Sequence, residues 1–158
     1  METAYRAMAA CCAKKECTIR EIQEKLIKKG LCEAETEGII NRLIQEHYID
    51  EQRYANAFIH DKTLYEAWGF QKSKQALRLK GIPAQYIQEA IAQFPIDQYL
   101  DVLRKVIHSK QRSVKGKTPY ETKQKIARSI ITKGFEPHLV FEHLELEDAE
   151  DASFDDSI

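Results

Sequence analysis

Apolar positions recur at helical spacing along nearly the whole chain, and three glycines interrupt them at matched places. The stretch Phe70–Phe94, FQKSKQALRLKGIPAQYIQEAIAQF, shows the unit most clearly. Leu77 sits one turn before Gly81, Ile82 follows it, and Pro83 suits the first position of the next helix, where a missing N–H costs nothing. Tyr86, Ile87, Ala90, Ile91 and Phe94 then make one apolar stripe. The same spacing surrounds Gly30 and Gly134. Counted from each glycine, an apolar residue stands four before (Leu26, Leu77, Ile130), one after (Leu31, Ile82, Phe135) and ten after (Ile40, Ile91, Leu144). A lysine precedes each: Lys29, Lys80 and Lys133. The glycines are 51 and 53 residues apart, so the chain reads as three copies of one module.

The elements follow in order. An alanine-rich helix spans Thr3–Lys15. Thr18 opens a second helix as the first member of a capping box with Glu21; Ile19, Ile22, Leu26 and Ile27 form its buried stripe, and Gly30 ends it. A third helix, Glu33–His47, buries Ile39, Ile40, Leu43 and Ile44. Gly38 inside it is unfavourable by about 1 kcal/mol relative to Ala, and close helix approach would account for it. Asp50 caps a fourth helix whose stripe runs through Tyr54, Phe58, Tyr65 and Trp68, with Ala55 and Ile59 beside it, until Gly69 breaks it. After the Gly81 unit, Asp97 is expected to cap a seventh helix with Leu100, Leu103, Val106 and Ile107 inward. Ser109–Lys117, SKQRSVKGK, lacks periodicity and reads as a mobile basic loop. Thr118, Pro119 and Glu121 restart a helix with a second capping box; Ile126, Ile130 and Ile131 face inward and Gly134 stops it. Pro137 begins a ninth helix with Leu139, Val140, Phe141 and Leu144.

No stretch alternates with period two, and no Asn-Gly or Asp-Gly hairpin occurs. The expected fold is all-α: three tandem three-helix repeats, 1–49, 50–95 and 96–144, followed by an acidic disordered tail, 145–158. One such module buries too little alone. Adjacent modules are therefore expected to share apolar faces in an elongated, curved arrangement.

Charge changes the picture most. The whole 158-residue chain carries −1, but eight acids and no Lys or Arg fall in residues 142–158, which leaves +7 on the rest. Between Arg104 and Lys133 stand ten basic residues and one acid, Glu121. Lys72, Lys74 and Arg78 lie on the central helix away from Leu77, and Lys123, Lys125 and Arg128 repeat that placement on the eighth. With Lys110, Arg112, Lys115 and Lys117 they make a candidate basic strip for a phosphate backbone or an acidic protein surface. Helix-end lysines stabilised by the macrodipole account for Lys29, Lys80 and Lys133 without a partner.

Other chemistry is poorly supported. Gly116-Lys117-Thr118 resembles the end of a phosphate-binding loop, but Gln111 stands where its first glycine belongs and Pro119 removes an N–H. His138 and His143 are one residue too far apart for the H-x-x-E-H metal pattern. Cys11, Cys12, Cys17 and Cys32 form no CxxC pair and have no histidine near, so a zinc site is not expected; reduced thiols of a cytosolic protein are. No Ser/His/Asp or Cys/His set has informative spacing, and no metal or cofactor is expected. The start, METAYRAMAA, shows no secretory pattern, and no apolar run is long enough to span a membrane.

Arg53-Tyr54-Ala55, Phe58, Lys62, Trp68-Gly69, Leu77 and Lys80-Gly81-Ile82, set in a threefold helical repeat, resemble the RecX family of RecA regulators. The resemblance covers roughly Thr18–Leu144; Phe70 stands where the family often has proline. It implies a non-enzymatic, all-helical cytoplasmic protein of recombination, DNA repair and the SOS response. Such a protein docks in the groove of the RecA–DNA filament and modulates, usually inhibits, the recombinase. The family has no catalytic residues to transfer. Arg53 matches its motif and joins the partner-binding candidates as a residue that holds a helix end or touches a partner. Two other readings stay open: a direct DNA-binding helical module, contacting single- or double-stranded DNA, and a helical-repeat adaptor. Binding to DNA with no recombinase present separates the first of these from a filament regulator; indifference to loss of the basic residues marks the second.

Overall fold

The computed structural model describes residues 1–145. Among them are nine helices and no strand: α1 Glu2–Lys14, α2 Ile19–Lys28, α3 Glu33–Gln45, α4 Glu51–Glu66, α5 Phe70–Leu79, α6 Ala84–Gln93, α7 Ile96–Ser113, α8 Pro119–Thr132, and α9 over 137–145. The all-helical repeat expected from the sequence is the observed architecture. Of the disordered tail expected over 145–158, Glu145 is instead the last described residue of α9, and 146–158 lie outside the described residues.

The three glycines end α2, α5 and α8 in the left-handed conformation, with φ of +90°, +85° and +106°. A Cβ there would crowd the following carbonyl, which is why glycine recurs. At the first two, paired bonds close the helix. Gly30 N–H reaches Ile27 O at 2.9 Å and Leu31 N–H reaches Leu26 O at 3.3 Å. Gly81 N–H reaches Arg78 O at 3.0 Å and Ile82 N–H reaches Leu77 O at 3.1 Å. Leu26, Leu77 and Ile130, four residues before the glycines, are fully buried.

Residues 1–58 and 76–93 form one compact unit, and 59–75 with 94 onward form another. The first is built on α1, α2 and α3 around Tyr5, Met8, Cys12, Ile22, Leu26 and Leu43. Tyr5 donates its hydroxyl to Glu46, and the Arg42 guanidinium lies 3.6 Å from its ring centroid. In the same unit the Gln52 amide donates to Tyr86 O at 2.9 Å and Arg20 donates to Leu79 O at 2.7 Å, closing the end of α5.

The second unit centres on Tyr99, whose side chain is fully buried. Its ring stacks on Phe70 with centroids 3.7 Å apart and on Phe135 at 5.3 Å. Its hydroxyl accepts from Phe70 N–H at 3.1 Å and donates to Glu136 at 2.5 Å. Beside it the turn before α5 clasps the turn after α8: Gly69 N–H to Lys133 O and Gln71 N–H to Gly134 O, both 2.9 Å. Ideal Cβ atoms would meet backbone at 2.1 Å on Gly69 and at 2.7 Å on Gly134, so both glycines serve close approach.

Several local expectations are corrected. Ile27 is 63% exposed, and Ile44 and Tyr65 are exposed too, because an apolar stripe is narrower than the run of apolar residues that marks it. The buried line of α4 is Ala55, Ile59 and Thr63, one residue along from Tyr54 and Phe58, which stack on each other instead. Gly38 has nothing within 4 Å of a would-be Cβ, so close approach does not explain it. Asp97 does not cap α7: the helix starts at Ile96 after Pro95, leaving Asp97 in the first turn, where its charge still suits the dipole. The loop expected over 109–117 is helical as far as Ser113; Lys, Gln and Arg are strong helix formers, and an exposed turn needs no apolar periodicity. Thr118 Oγ1 accepts from Glu121 N–H at 3.0 Å, but Glu121 reaches back to Lys117 N–H at 2.9 Å rather than to Thr118.

Candidate functional site

The basic residues singled out by the sequence fall into groups with different surroundings. In the first unit, Arg53 holds structure together. Its Nε donates to Glu16 at 2.6 Å and its Nη2 donates to His47 O at 3.2 Å, bracing the end of α3. Arg78 lies exposed on the last turn of α5.

In the second unit, Lys62 and Lys72 both place their ammonium groups over Trp68, at 4.5 and 4.4 Å from a ring centroid. Lys74 is half-buried one turn before Arg78 on α5. Asp101 pairs with Arg104 at 3.5 Å and Lys105 at 3.7 Å, and Glu121 pairs with Lys125 at 3.6 Å. Lys72 and Lys125, equivalent in the repeat, therefore differ in use: one caps an aromatic ring and the other sits in an ion pair. Among the described residues no carboxylate pairs with Lys110, Arg112, Lys115, Lys117 or Arg128. These cations lie on the end of α7 (Lys110, Arg112), in the turn over 114–118 (Lys115, Lys117) and in the C-terminal half of α8 (Arg128).

That turn borders a hollow of about 430 Å³. Lys115, Lys117 and Lys123 line it with Gln111, Ile126 and Leu144. Its shape depends on Gly116. The Gly116 N–H donates to Thr122 Oγ1 at 2.8 Å, and a Cβ would approach Thr122 N to 2.8 Å. At the start of α8, Thr118 takes the Glu121 N–H on its hydroxyl and the Thr122 N–H on its carbonyl, Pro119 has no N–H, and the Lys117 N–H just before the helix goes to the Glu121 carboxylate. What the hollow offers a ligand is side-chain ammonium groups, the chemistry for phosphate or carboxylate.

The first unit holds a groove of the opposite kind. About 700 Å³ in volume, it has Ile19, Ile27, Ile40 and Ile44 along it and Glu33 and Glu37 at its rim. Sequence reasoning counted those isoleucines as core and so missed it.

Burial pushes the Cys12 thiol up to about 12 and raises Cys17 as well, the reverse of what a reactive thiolate needs. His143 donates from Nδ1 to Leu139 O within α9 at 2.9 Å. Among the described residues, no three His, Cys, Asp or Glu side chains are grouped to hold a metal ion, and no helix is long and apolar enough to cross a membrane.

Comparison with known proteins places this arrangement. Residues 50–91 match the second three-helix domain of RecX and residues 97–144 match the third. The chain is 28% identical over 138 residues to the regulatory protein RecX of Streptococcus gordonii, across 85% of this chain and 52% of that one. It is 27% identical over 118 residues to that of Bacillus pumilus, across 75% and 45%. The chain thus spans about half the length of the curated relatives it matches. A crystal structure of RecX from Lactobacillus salivarius superposes with a TM-score of 0.81 at 20% identity, over 94% of this chain and 96% of that one, and shares the fold.

Proposed function

The chain belongs to the RecX family of regulatory proteins, and from that footing we propose that it regulates recombination and DNA repair by docking on the RecA–DNA filament and inhibiting the recombinase. In this reading it works in the cytoplasm, by occupying a surface and without catalysing a reaction. Its modules are 1–49, 50–95 and 96–144, each a helix–Gly–helix unit.

The observation that carries the reading is the run of cations from Lys110 to Arg128, five of which face no described carboxylate. Such a surface gains by meeting a polyanion, because each contact releases a condensed counterion. Lys72 and Lys74 on α5 extend the candidate surface within the same compact unit. Arg53 is committed to Glu16 and His47, so in this reading it supports the fold.

The test is DNA-dependent ATP hydrolysis by RecA, titrated with the purified protein. The expected result is a fall in rate; an unchanged rate at stoichiometric excess overturns the proposal. Co-sedimentation with RecA filaments locates the surface. Replacing Arg112, Lys115 and Lys117 together by Ala is expected to weaken binding at least tenfold, about 1.4 kcal/mol. Binding to DNA alone is expected to be weak and to fade with salt.

A further inference from the structure

We propose that the isoleucine-lined groove between α2 and α3 is a docking site for a basic amphipathic helix of another protein. The inference does not rest on the function proposed above. A surface edged by carboxylates repels phosphate, so it calls for a different partner from the cations of the second unit.

The groove follows from the spacing of side chains on the two helices. Ile19, Gln23 and Ile27 recur every four residues on α2, and Glu33, Glu37, Ile40 and Ile44 share one side of α3; all of them line the hollow of about 700 Å³. Ile40 is almost buried, whereas Ile27 and Ile44 stand open to solvent at 63% and 39% exposure. A second hollow, of about 280 Å³, shares Ile19 and Ile44 with the first and carries the apolar line on to Ile49 and Tyr86, within the same compact unit. Scattered exposed apolar residues need no partner, but a row of them sharing one hollow marks an interaction site. From Glu33 to Ile44, α3 runs for roughly 16 Å, about three turns of a docked helix.

Charge selects the occupant. No Lys or Arg lines either hollow. Glu33 and Glu37 are exposed, and among the described residues neither pairs with a cation. Glu33 also suits the first turn of α3, where the dipole favours an acid. Glu37, one turn further on, has no such local reason. At the other end, Asp50 accepts the Arg53 N–H at 3.0 Å and Glu51 is buried, so the acids open to a partner are the two on α3. A helix with apolar side chains on one face and Lys or Arg flanking them satisfies both features at once. An extended segment fits less well. The backbone groups along α2 and α3 are paired within those helices, so a strand laid in the groove would leave its own amides unmatched, while a helix arrives with them satisfied.

The test uses the full chain and two synthetic peptides of about five helical turns. Both carry leucine at i, i+3, i+4 and i+7; the remaining positions are lysine in one and glutamate in the other. Amide chemical shifts of Gln23, Ile27, Glu37 and Asn41 report on the groove. At low salt the lysine peptide is expected to move them saturably and to bind at least tenfold more tightly than the glutamate peptide. Unmoved amides overturn the proposal, and so does an equal response to the two peptides. Ile27→Ser combined with Ile44→Ser should weaken the lysine peptide at least tenfold. Glu33→Gln combined with Glu37→Gln changes only exposed side chains, so it keeps the fold, and it should weaken the same peptide about three- to tenfold. An unchanged affinity in the glutamine variant overturns the proposal whether or not the serine variant folds. Sedimentation of the protein alone decides the other occupant. A monomer at all concentrations supports the proposal, and a dimer that Ile27→Ser dissolves assigns the groove to a second copy of the chain and overturns it.

Discussion

The turns at Gly30 and Gly134 both end their helices at a left-handed glycine and differ in what surrounds them. Both glycines are left-handed, both follow a lysine, and both place an apolar side chain at the next position. Around Gly30 there is open space: a Cβ would meet nothing within 4 Å. Around Gly134 there is another turn. Gly69 O would lie 2.8 Å from a Cβ and Lys72 N would lie 2.7 Å from it. The first glycine answers a backbone requirement alone. The second answers the same requirement and also admits the Gly69 turn, which fixes Phe70 against Tyr99. One sequence signal thus marks two physical situations, and the repeat cannot say which is which.

Substitution at the clasp is the severest way to break the comparison. Gly134→Ala has to displace backbone as well as accept a strained φ, and Gly69→Ala meets backbone at 2.1 Å. Each is expected to cost about 3 kcal/mol or more. The one tryptophan, Trp68, adjoins Gly69 and so reports on this region. Urea unfolding followed by its fluorescence should shift strongly to lower midpoint in either variant. A loss no larger than that of Gly30→Ala would remove the distinction between the two turns.

Tyr99 comes next. Its hydroxyl takes the Phe70 N–H, a buried backbone donor, and gives its proton to Glu136. Burial, and after it the Glu136 carboxylate, keep the phenol in its neutral form against the opposite pull of the Phe70 N–H. Tyr99→Phe keeps the stack and orphans the Phe70 N–H, so a loss of about 1–3 kcal/mol is expected from the same unfolding curves. A neutral outcome would mean that stacking alone holds the clasp.

Tyr99 also shows where sequence reading stops. The repeat, the nine helices and the three stops were legible because they depend on local chemistry: a period, a cap, a glycine. Tyr99 was not, since a tyrosine beside Leu100 gives no sign that its ring meets residues 29 before and 36 after it. The candidate surface divides similarly. That cations crowd the stretch from 104 to 133 can be counted. That Lys125 is paired with Glu121, that Lys72 covers Trp68 and that Arg53 braces His47 are facts of neighbourhood, which helical periodicity does not contain.

At the mild end of the comparison, Gly30→Ala tests the backbone requirement without the clash. The left-handed conformation costs an alanine about 1–2 kcal/mol. The loss of glycine freedom in the unfolded chain returns about 0.4–1 kcal/mol. The net expectation is a loss near 1 kcal/mol, read by helical circular dichroism during urea unfolding. Gly81→Ala should cost slightly more, because its Cβ meets the Arg20 guanidinium at 2.9 Å, and that side chain also closes α5.

The end of α3 supplies the converse experiment. His47 N–H bonds to Ile44 O at 3.1 Å and Tyr48 N–H to Leu43 O at 2.9 Å, the same pair of bonds that close α2 and α5. Here the left-handed position, φ +65°, is held by a histidine. The chain accepts that strain where Arg53 grips the carbonyl of the same residue. His47→Gly keeps that carbonyl and every backbone bond of the turn, and it removes the strained side chain. The two opposing terms are those that govern Gly30→Ala with the sign reversed, so a gain of up to about 1 kcal/mol is expected. It should appear as a higher urea midpoint with an unchanged slope, since the surface exposed on unfolding barely alters. A loss instead would show that the imidazole makes a contribution larger than its backbone cost. The glycine at the other turns would then reflect the absence of such a contribution as much as the demand of φ.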